Sequence, residues 1–543
     1  MRLSDVFFLR KNKKDSFLAV ILLLGLLFSL LALLPQIRQF VCTIVEQLVL
    51  HRKLLNPEKW KYKLFEYALV SSGIMLMLNF LFLTQLGRKL TQLGRKLINK
   101  TEPEGKTGNA SFNISMFKDA FSSERFFAGF AVFTGIIVFT IAFFRAANTG
   151  ITWDEALTYQ LYVLPNIFDS FTKNQILNNH FLNSLCIRVV MFFSQSKYNE
   201  LLIRFPNLLF YCIYIAFSYL IAGQYKNKFF VFILFISNYY LNEFFGLARG
   251  YGMACACMAG VCYYFEKWKS VYINKRNDHM PFLLFLFFCT VAALSNSITL
   301  YISFCFFILI NFKYKKDIFT LPNMFVYIIF FLVVFHSVRS SNRGGEGVYS
   351  THSIYYTVMS IPSMFTDSTY LTFLIALVSF LSFGWLIIKT KANDDYCWVL
   401  IIFIIVCVVS QVVFQRGYPV MREMVPFYPV FVIIIANALK YVSNYRITKP
   451  ILAVCAVLLI FQFSLKINSG STKDWNDNYS IRNVVYSYIV SHDVLNNKEE
   501  FLSFIRACQD IRTSQGQSSG EPVFTFYVEK VEYLLKNNSG EKQ

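Results

Sequence analysis

The stretch FFAGFAVFTGIIVFTIAFF, residues 126–144, runs directly into RAANTGITWDE, residues 145–155, and this junction decides how the chain is read. An uncharged apolar run of this length matches the roughly 20 residues a helix needs to cross a bilayer core. The first charges beyond it are Arg145, Asp154 and Glu155. Adjacent carboxylates placed where a helix leaves the bilayer meet water and lipid head groups together. A plain anchor helix has no need of them, so the pair points to chemistry at the membrane surface.

The rest of the chain repeats the apolar pattern. Of 543 residues, 55% are hydrophobic and only 15% charged, against about 25% charged in an average soluble domain. Apolar spans fall near 16–34, 64–83, 126–144, 205–223, 229–242, 250–266, 281–295, 299–312, 319–337, 370–388, 397–414, 425–441 and 449–466. The expected fold class is therefore an all-α polytopic membrane protein. A transmembrane barrel would show short alternating segments instead. The formal net charge of +20 is carried by Lys and Arg in the loops between spans, as the positive-inside rule requires, and does not indicate a nucleic-acid partner. Of the 12 cysteines most sit inside apolar spans and read as small packing residues, and none has zinc-site spacing.

Orientation follows from the basic clusters. With residues 16–34 as a retained signal anchor, the cytoplasmic clusters are Arg88/Lys89/Arg95/Lys96, Lys226/Lys228, Lys267/Lys269/Lys275/Arg276, Lys313/Lys315/Lys316, Lys389/Lys391 and Lys440/Arg446/Lys449. The loop 35–63 dissents, being basic yet external. The external segments are then 145–204, 243–249, 338–369, 415–424 and the tail from 467. Four regions are expected: a two-helix membrane module (1–100), a polar cytoplasmic linker (101–125), a membrane domain (126–466) and a small external C-terminal lobe (467–543). The module carries an unchanged tandem heptad at 84–97, to which no function is assigned. The lobe shows helix-like spacing from Val485 to Phe504 and a β-like run from Val523 to Val528.

Candidate site residues gather in the external segments. After Glu155, two amphipathic stretches, Leu157–Leu164 and Ile176–Phe193, suit helices lying in the interface, and His180 stands near the start of the second. Glu243 and Arg249 occupy a tight apolar hairpin, where charges are costly unless paired or functional. Arg416 and Arg422 precede the span at 425. Carboxylates can act as general base towards an acceptor hydroxyl or amine. Arginines can hold a phosphate bidentately and stabilise it as a leaving group. Blander readings stand beside these: Asp154 and Glu155 as helix-capping residues, Glu243 with Arg249 as a structural ion pair, and Arg422 and Arg416 as interface anchors.

At these residues the chain resembles the C superfamily of integral-membrane glycosyltransferases, which includes the protein O-mannosyltransferases and aminoarabinose transferases. The matching features are Trp153-Asp154-Glu155, Asn178-Asn179-His180-Phe181-Leu182, Arg204-Phe205-Pro206-Asn207, the hairpin Glu243 to Tyr251, and Pro419 to Arg422. Relatives often carry His-Pro-Pro where this chain has His180-Phe181-Leu182. The resemblance covers about 126–466 and implies about eleven core transmembrane helices, with two extra N-terminal ones outside it. It implies an inverting transfer of a sugar from a polyprenyl-phosphate donor to a glycan, lipid or protein acceptor on the external face. Asp154 would be the catalytic base with Glu155 beside it. His180, Glu243 and Arg249 would line the sugar and phosphate pocket, and Arg422, with Arg416, would hold the lipid phosphate. Some relatives use a divalent cation, for which the sequence shows no ligand cluster. The composition, rich in Phe, Asn, Lys and Ile, fits a bacterial inner membrane. The alternatives are a transporter or flippase of lipid-linked envelope sugars, or a non-catalytic assembly protein.

Overall fold

The computed structural model describes residues 124–165, 180–194, 197–275, 278–314, 354–365, 369–390, 393–414, 421–442, 448–466, 481, 484–485, 488, 498–514 and 520–538. Among these residues every regular element is helical. The spans near 16–34, 64–83 and 319–337, the tandem heptad and Arg416 lie outside them. The chain divides into two compact units, Met1–Ile137 and Val138–Gln543, the boundary falling within the first described helix, α1 (Glu124–Asn148). The second unit holds the candidate site.

Among the described residues three helices are long and apolar enough to cross a membrane: Phe127–Ala147, Glu200–Ala222 and Arg422–Tyr441. A fourth span is formed if α6 (Tyr239–Phe245) and α7 (Gly250–Ile273), bent by 111° at their junction, act together. Shorter apolar helices follow, including α8 (Met280–Ser295) and α9 (Thr299–Lys313). Further helices are α10 (Ile354–Ser363), α11 (Thr369–Thr390) and α14 (Thr448–Lys466). The described residues are thus all-helical, with several membrane-type helices.

Two sequence expectations are corrected. The apolar run 229–242 is two helices, α5 (Lys228–Ile236) and α6, broken at Ser237-Asn238. Asn238 starts the second by accepting the Leu241 amide at 3.0 Å on its side chain, a capping bond that competes with continuation of the first helix. The β-like run Val523–Val528 is helical, inside α16 (Glu521–Asn538). Its apolar residues Val523, Phe524, Phe526, Tyr527 and Val531 are all buried on one packed side, a spacing a helix satisfies and an alternating strand does not.

The helices connect two polar poles. At one, Arg204 in α4 (Glu200–Ala222) bonds Glu155, and Ser295 at the end of α8 meets His180. At the other, Tyr225 just past α4 donates to Asn437 in α13 (Tyr428–Val442) at 3.0 Å. There Lys269 of α7 and Lys313 of α9 bond Asp395 of α12 (Asp395–Phe414) at 3.0 and 2.6 Å. The 23 residues of α4 separate the poles by roughly 34 Å at 1.5 Å per residue. Between them α7 is buried from Gly250 to Cys262, with Cys255, Cys257 and Cys262 as free, fully buried thiols that fill space between helices.

The C-terminal helices α15 (Lys498–Ser514) and α16 share one apolar cluster with the loop beyond α1. Phe501, Ile505, Phe526 and Tyr527 pack with Ile151, Ala156, Tyr159 and Ile203. The lobe expected to be accessory therefore lies directly behind the acidic pair.

Candidate functional site

The sequence Thr152-Trp153-Asp154-Glu155 folds as a capping box at the start of a short helix, α2 (Trp153–Thr158). Thr152 Oγ1 accepts the Glu155 amide at 3.3 Å, and Glu155 Oε2 accepts the Thr152 amide at 2.9 Å. The two carboxylates then diverge.

Glu155 turns inward. Its oxygens receive Arg204 Nε at 2.8 Å and an Arg204 terminal nitrogen at 2.6 Å, and Oε1 also accepts the Ala248 amide. Arg204 spends its remaining N–H groups on the carbonyls of Ala146, Thr149 and Gly150, at 2.9, 2.6 and 2.7 Å. Both side chains are fully buried. Burial alone would raise the Glu155 pKa, but Arg204 and the amides of Ala248 and Thr152 outweigh it and hold the carboxyl below the ordinary range. A guanidinium saturated in this way staples the turn after α1 into one shape.

Asp154 turns towards two other arginines. Its Oδ2 lies 3.2 Å from Arg249 and 3.2 Å from Arg422. Arg249 is fully buried, spans Asp154 O and Thr158 Oγ1 at 3.4 Å, and rests 5.6 Å from the centre of the Tyr251 ring. Arg422 enters from the 3₁₀ turn Met421–Phe427 and keeps 39% of its side chain exposed. One arginine is thus fixed and the other accessible.

His180 is buried against this group. A backbone carbonyl only accepts, so the 3.0 Å contact from Nδ1 to Ser295 O places the proton on Nδ1 and leaves Nε2 as a bare acceptor. Nε2 is buried and has no hydrogen-bond partner among the described residues. Burial, then the charges of Arg249 and Arg422, hold the imidazole pKa well below its usual value, so the ring is neutral. Its face meets Tyr251 edge-on at 5.0 Å. The contact requires glycine at 250: an added Cβ there would lie 1.9 Å from Ser295 O and 2.8 Å from the His180 ring.

Glu243 pairs with Arg145 at 3.6 Å, both buried, while Arg249 serves Asp154. The ion pair Glu243–Arg249 considered from sequence is therefore replaced by two crossed pairs. Asn183 donates to Ala248 O at 2.9 Å and accepts from Asn207 at 2.8 Å, which locks the hairpin onto α3 (Phe181–Ser194) and α4. Behind the site, Tyr527 of α16 donates to Glu200 at 2.8 Å and lies 3.4 Å from the Ile151 amide.

Of the residues expected at the site, Asp154, His180, Arg249 and Arg422 converge. Glu155 and Glu243 lie alongside, engaged by Arg204 and Arg145. Sequence reading assigned no role to Arg204, Arg145, Ser295 or Tyr527. Arg204 and Glu155 carried a signal, the Thr-x-x-Glu capping pattern and an arginine at the head of the next span, whereas Tyr527 carried none. The divalent cation implied by resemblance does not fit the side chains present. Among the described residues no three His, Cys, Asp or Glu side chains converge, and Asp154 is flanked by two guanidiniums.

No family model, curated protein or solved structure matches this chain.

Proposed function

We propose that this protein is a membrane glycosyltransferase that moves a sugar from a polyprenyl-phosphate donor to an acceptor at the Asp154 pole. The observation that carries the reading is the convergence of Arg249 and Arg422 on one oxygen of Asp154. Two guanidiniums within bonding distance of a single anionic oxygen are what a phosphate needs. In this reading the carboxylate holds them in register, and the donor phosphate draws the accessible Arg422 onto itself. Asp154 is thereby released to take the proton from an acceptor O–H. The acceptor oxygen forms its bond to the anomeric carbon as the bond from that carbon to the phosphate oxygen breaks, inverting the centre. The phosphate leaves with its electron pair, and Arg249 and Arg422 stabilise the charge that develops there. Glu155, with both oxygens engaged by Arg204, is a positioning residue in this scheme rather than a second base. His180, neutral and with Nε2 as acceptor, suits a sugar hydroxyl rather than the phosphate.

The eleven-helix core, the bacterial inner membrane and the external placement of this pole belong to the same proposal. The basic clusters gathered at the opposite pole support the external placement, and the helix count and the membrane rest on the resemblance and the composition. The test is transfer of labelled sugar from a panel of polyprenyl-phosphate hexoses and pentoses in membranes, wild type against Asp154→Asn at matched expression. Transfer by wild type that is lost in the variant supports the reading. Binding of the donors without transfer by either protein favours a transporter or assembly role and overturns it.

A further inference from the structure

Three buried polar atoms near Asp154 have no hydrogen-bond partner among the described residues: His180 Nε2, Ser184 Oγ and Asn296 Nδ2. Their residues are only 4%, 3% and 6% exposed. Buried polar groups are nearly always paired, so three orphans at one pole call for a cause.

Local geometry brings them together. The His180 carbonyl accepts the Ser184 amide at 3.0 Å, so the two residues stand one turn apart on one face of α3. A helical side chain leans back over the turn before it, which directs Ser184 towards His180. Other helical hydroxyls bond the carbonyl four residues back, as Ser218 does to Tyr214 and Thr290 to Leu286. Ser184 makes no such bond. On the other side, α8 packs against α3, and its Ser295 carbonyl holds His180 Nδ1. Asn296 is the next residue. Its Oδ1 accepts the Ile298 amide at 3.0 Å, which fixes the amide orientation and leaves Nδ2 as the unspent donor. Arg249 and Arg422 act electrostatically on the His180 ring, so the cluster adjoins the two arginines proposed to hold the phosphate.

The chemistry of the three atoms restricts what they can take. His180 Nε2 only accepts, Asn296 Nδ2 only donates, and Ser184 Oγ does either. A hydroxyl offers one donor and two acceptor positions and satisfies all three at once. An ammonium has no lone pair for Asn296 and meets two guanidiniums. A bare C–H has nothing to give His180 Nε2.

We propose that His180, Ser184 and Asn296 form a subsite that reads one ring hydroxyl of the donor sugar, selecting a neutral hydroxylated sugar over its deoxy and amino analogues at that carbon. The hydroxyl donates to His180 Nε2 and accepts from Asn296 Nδ2 and Ser184 Oγ. Such a site rejects an analogue lacking the group because its own buried polar atoms are then left unpaired. The subsite rests on the reading of the Asp154 pole as a sugar-phosphate site, and not on transfer of the sugar.

The test measures binding to the full-length protein in lipid nanodiscs. The probes are polyprenyl phosphate, its hexosides and pentosides, and analogues of the tightest glycoside in which each ring hydroxyl in turn becomes hydrogen or an amine. In wild type the glycoside is expected to bind more tightly than polyprenyl phosphate, and replacement at one position to cost about tenfold or more. In Ser184→Ala, and in Asn296→Asp, which keeps an oxygen for the Ile298 amide, the parent glycoside weakens and that gap closes. The wild-type series decides alone if a variant does not fold. A glycoside that binds no better than polyprenyl phosphate, or a series in which no position stands out, overturns the subsite. So does a gap unchanged in both variants, the result expected if the three atoms hold an internal water only. Failure of polyprenyl phosphate itself to bind overturns the phosphate reading and the subsite with it. Hydroxyl-dependent binding without transfer supports the subsite and overturns the transferase reading.

Discussion

Glu155 and Arg204 meet through two charge-assisted bonds of 2.8 and 2.6 Å, with both side chains wholly shielded from solvent. Removing one member leaves the other charge buried and uncompensated, a loss of about 3–5 kcal/mol. Glu155→Gln and Arg204→Gln are each expected to lower the thermal midpoint in detergent sharply and to reduce monodisperse yield. Replacing both with apolar residues recovers part of the loss, but not all, because the carbonyls of Ala146, Thr149 and Gly150 also lose their donor. Single variants as stable as wild type would show that Arg204 does not staple this turn.

Asp154→Asn should behave in the opposite way. The side chain keeps an oxygen for Arg249 and Arg422, and the helix α2 keeps its Thr152–Glu155 cap. The thermal midpoint is expected to stay within a few degrees of wild type. Loss of a general base is expected to lower sugar transfer by about 10²–10⁴-fold. A variant that retains transfer would remove Asp154 from the chemistry.

The two arginines beside Asp154 are expected to separate in function. Arg422, partly exposed, is the adjustable one, so Arg422→Gln should weaken binding of polyprenyl phosphate while the protein remains folded. Arg249 is buried with bonds to Asp154 and Thr158, so Arg249→Gln should cost stability as well. Isothermal titration with polyprenyl phosphate, beside thermal melts, distinguishes the two. Equal melts together with equal affinities for both variants would refute the division.

Two groups near the site predict the pH dependence. The Glu155 pKa is lowered by folding, so its stabilisation is present above the unfolded value, 4.5, and is lost as pH falls through the folded one. The His180 pKa is also lowered, from 6.5, so below that pH the unfolded chain takes up a proton that the buried ring refuses. Wild-type stability should therefore decline as pH drops below about 6.5, ahead of the carboxylate range. His180→Phe should flatten the first part of that decline, as read from melts between pH 7 and pH 5. An identical slope in the variant would mean that His180 is not held neutral.

Much of this arrangement was legible in the sequence because it depends on local rules. The apolar run after Glu124, the acidic pair behind it and the glycines at 246–252 all announce themselves within a few residues. Basic residues at alternate loops foretold that Lys269, Lys313 and Lys440 would collect at one pole and Asp154, His180 and Arg422 at the other. What could not be read was pairing. Nothing in the hairpin says that Glu243 takes Arg145 while Arg249 takes Asp154, because the choice is made by helix packing. The run Val523–Val528 misled for a related reason: five of its six residues are apolar, so the run alone shows no period, and the helical spacing emerges only from which residues are buried, Val531 beyond the run included.

The bond from Tyr527 to Glu200 spans 327 residues of chain, and this imposes an order of events during synthesis. Every described membrane-type helix leaves the ribosome before α16 does. Until α16 arrives, Glu200 lacks Tyr527, and the apolar cluster behind Ile151 and Ala156 lacks its other half. A nascent chain halted before residue 521 would lack the α16 side of that cluster and the bond to Glu200. The packing behind the Asp154 pole is therefore complete only once α16 has been translated.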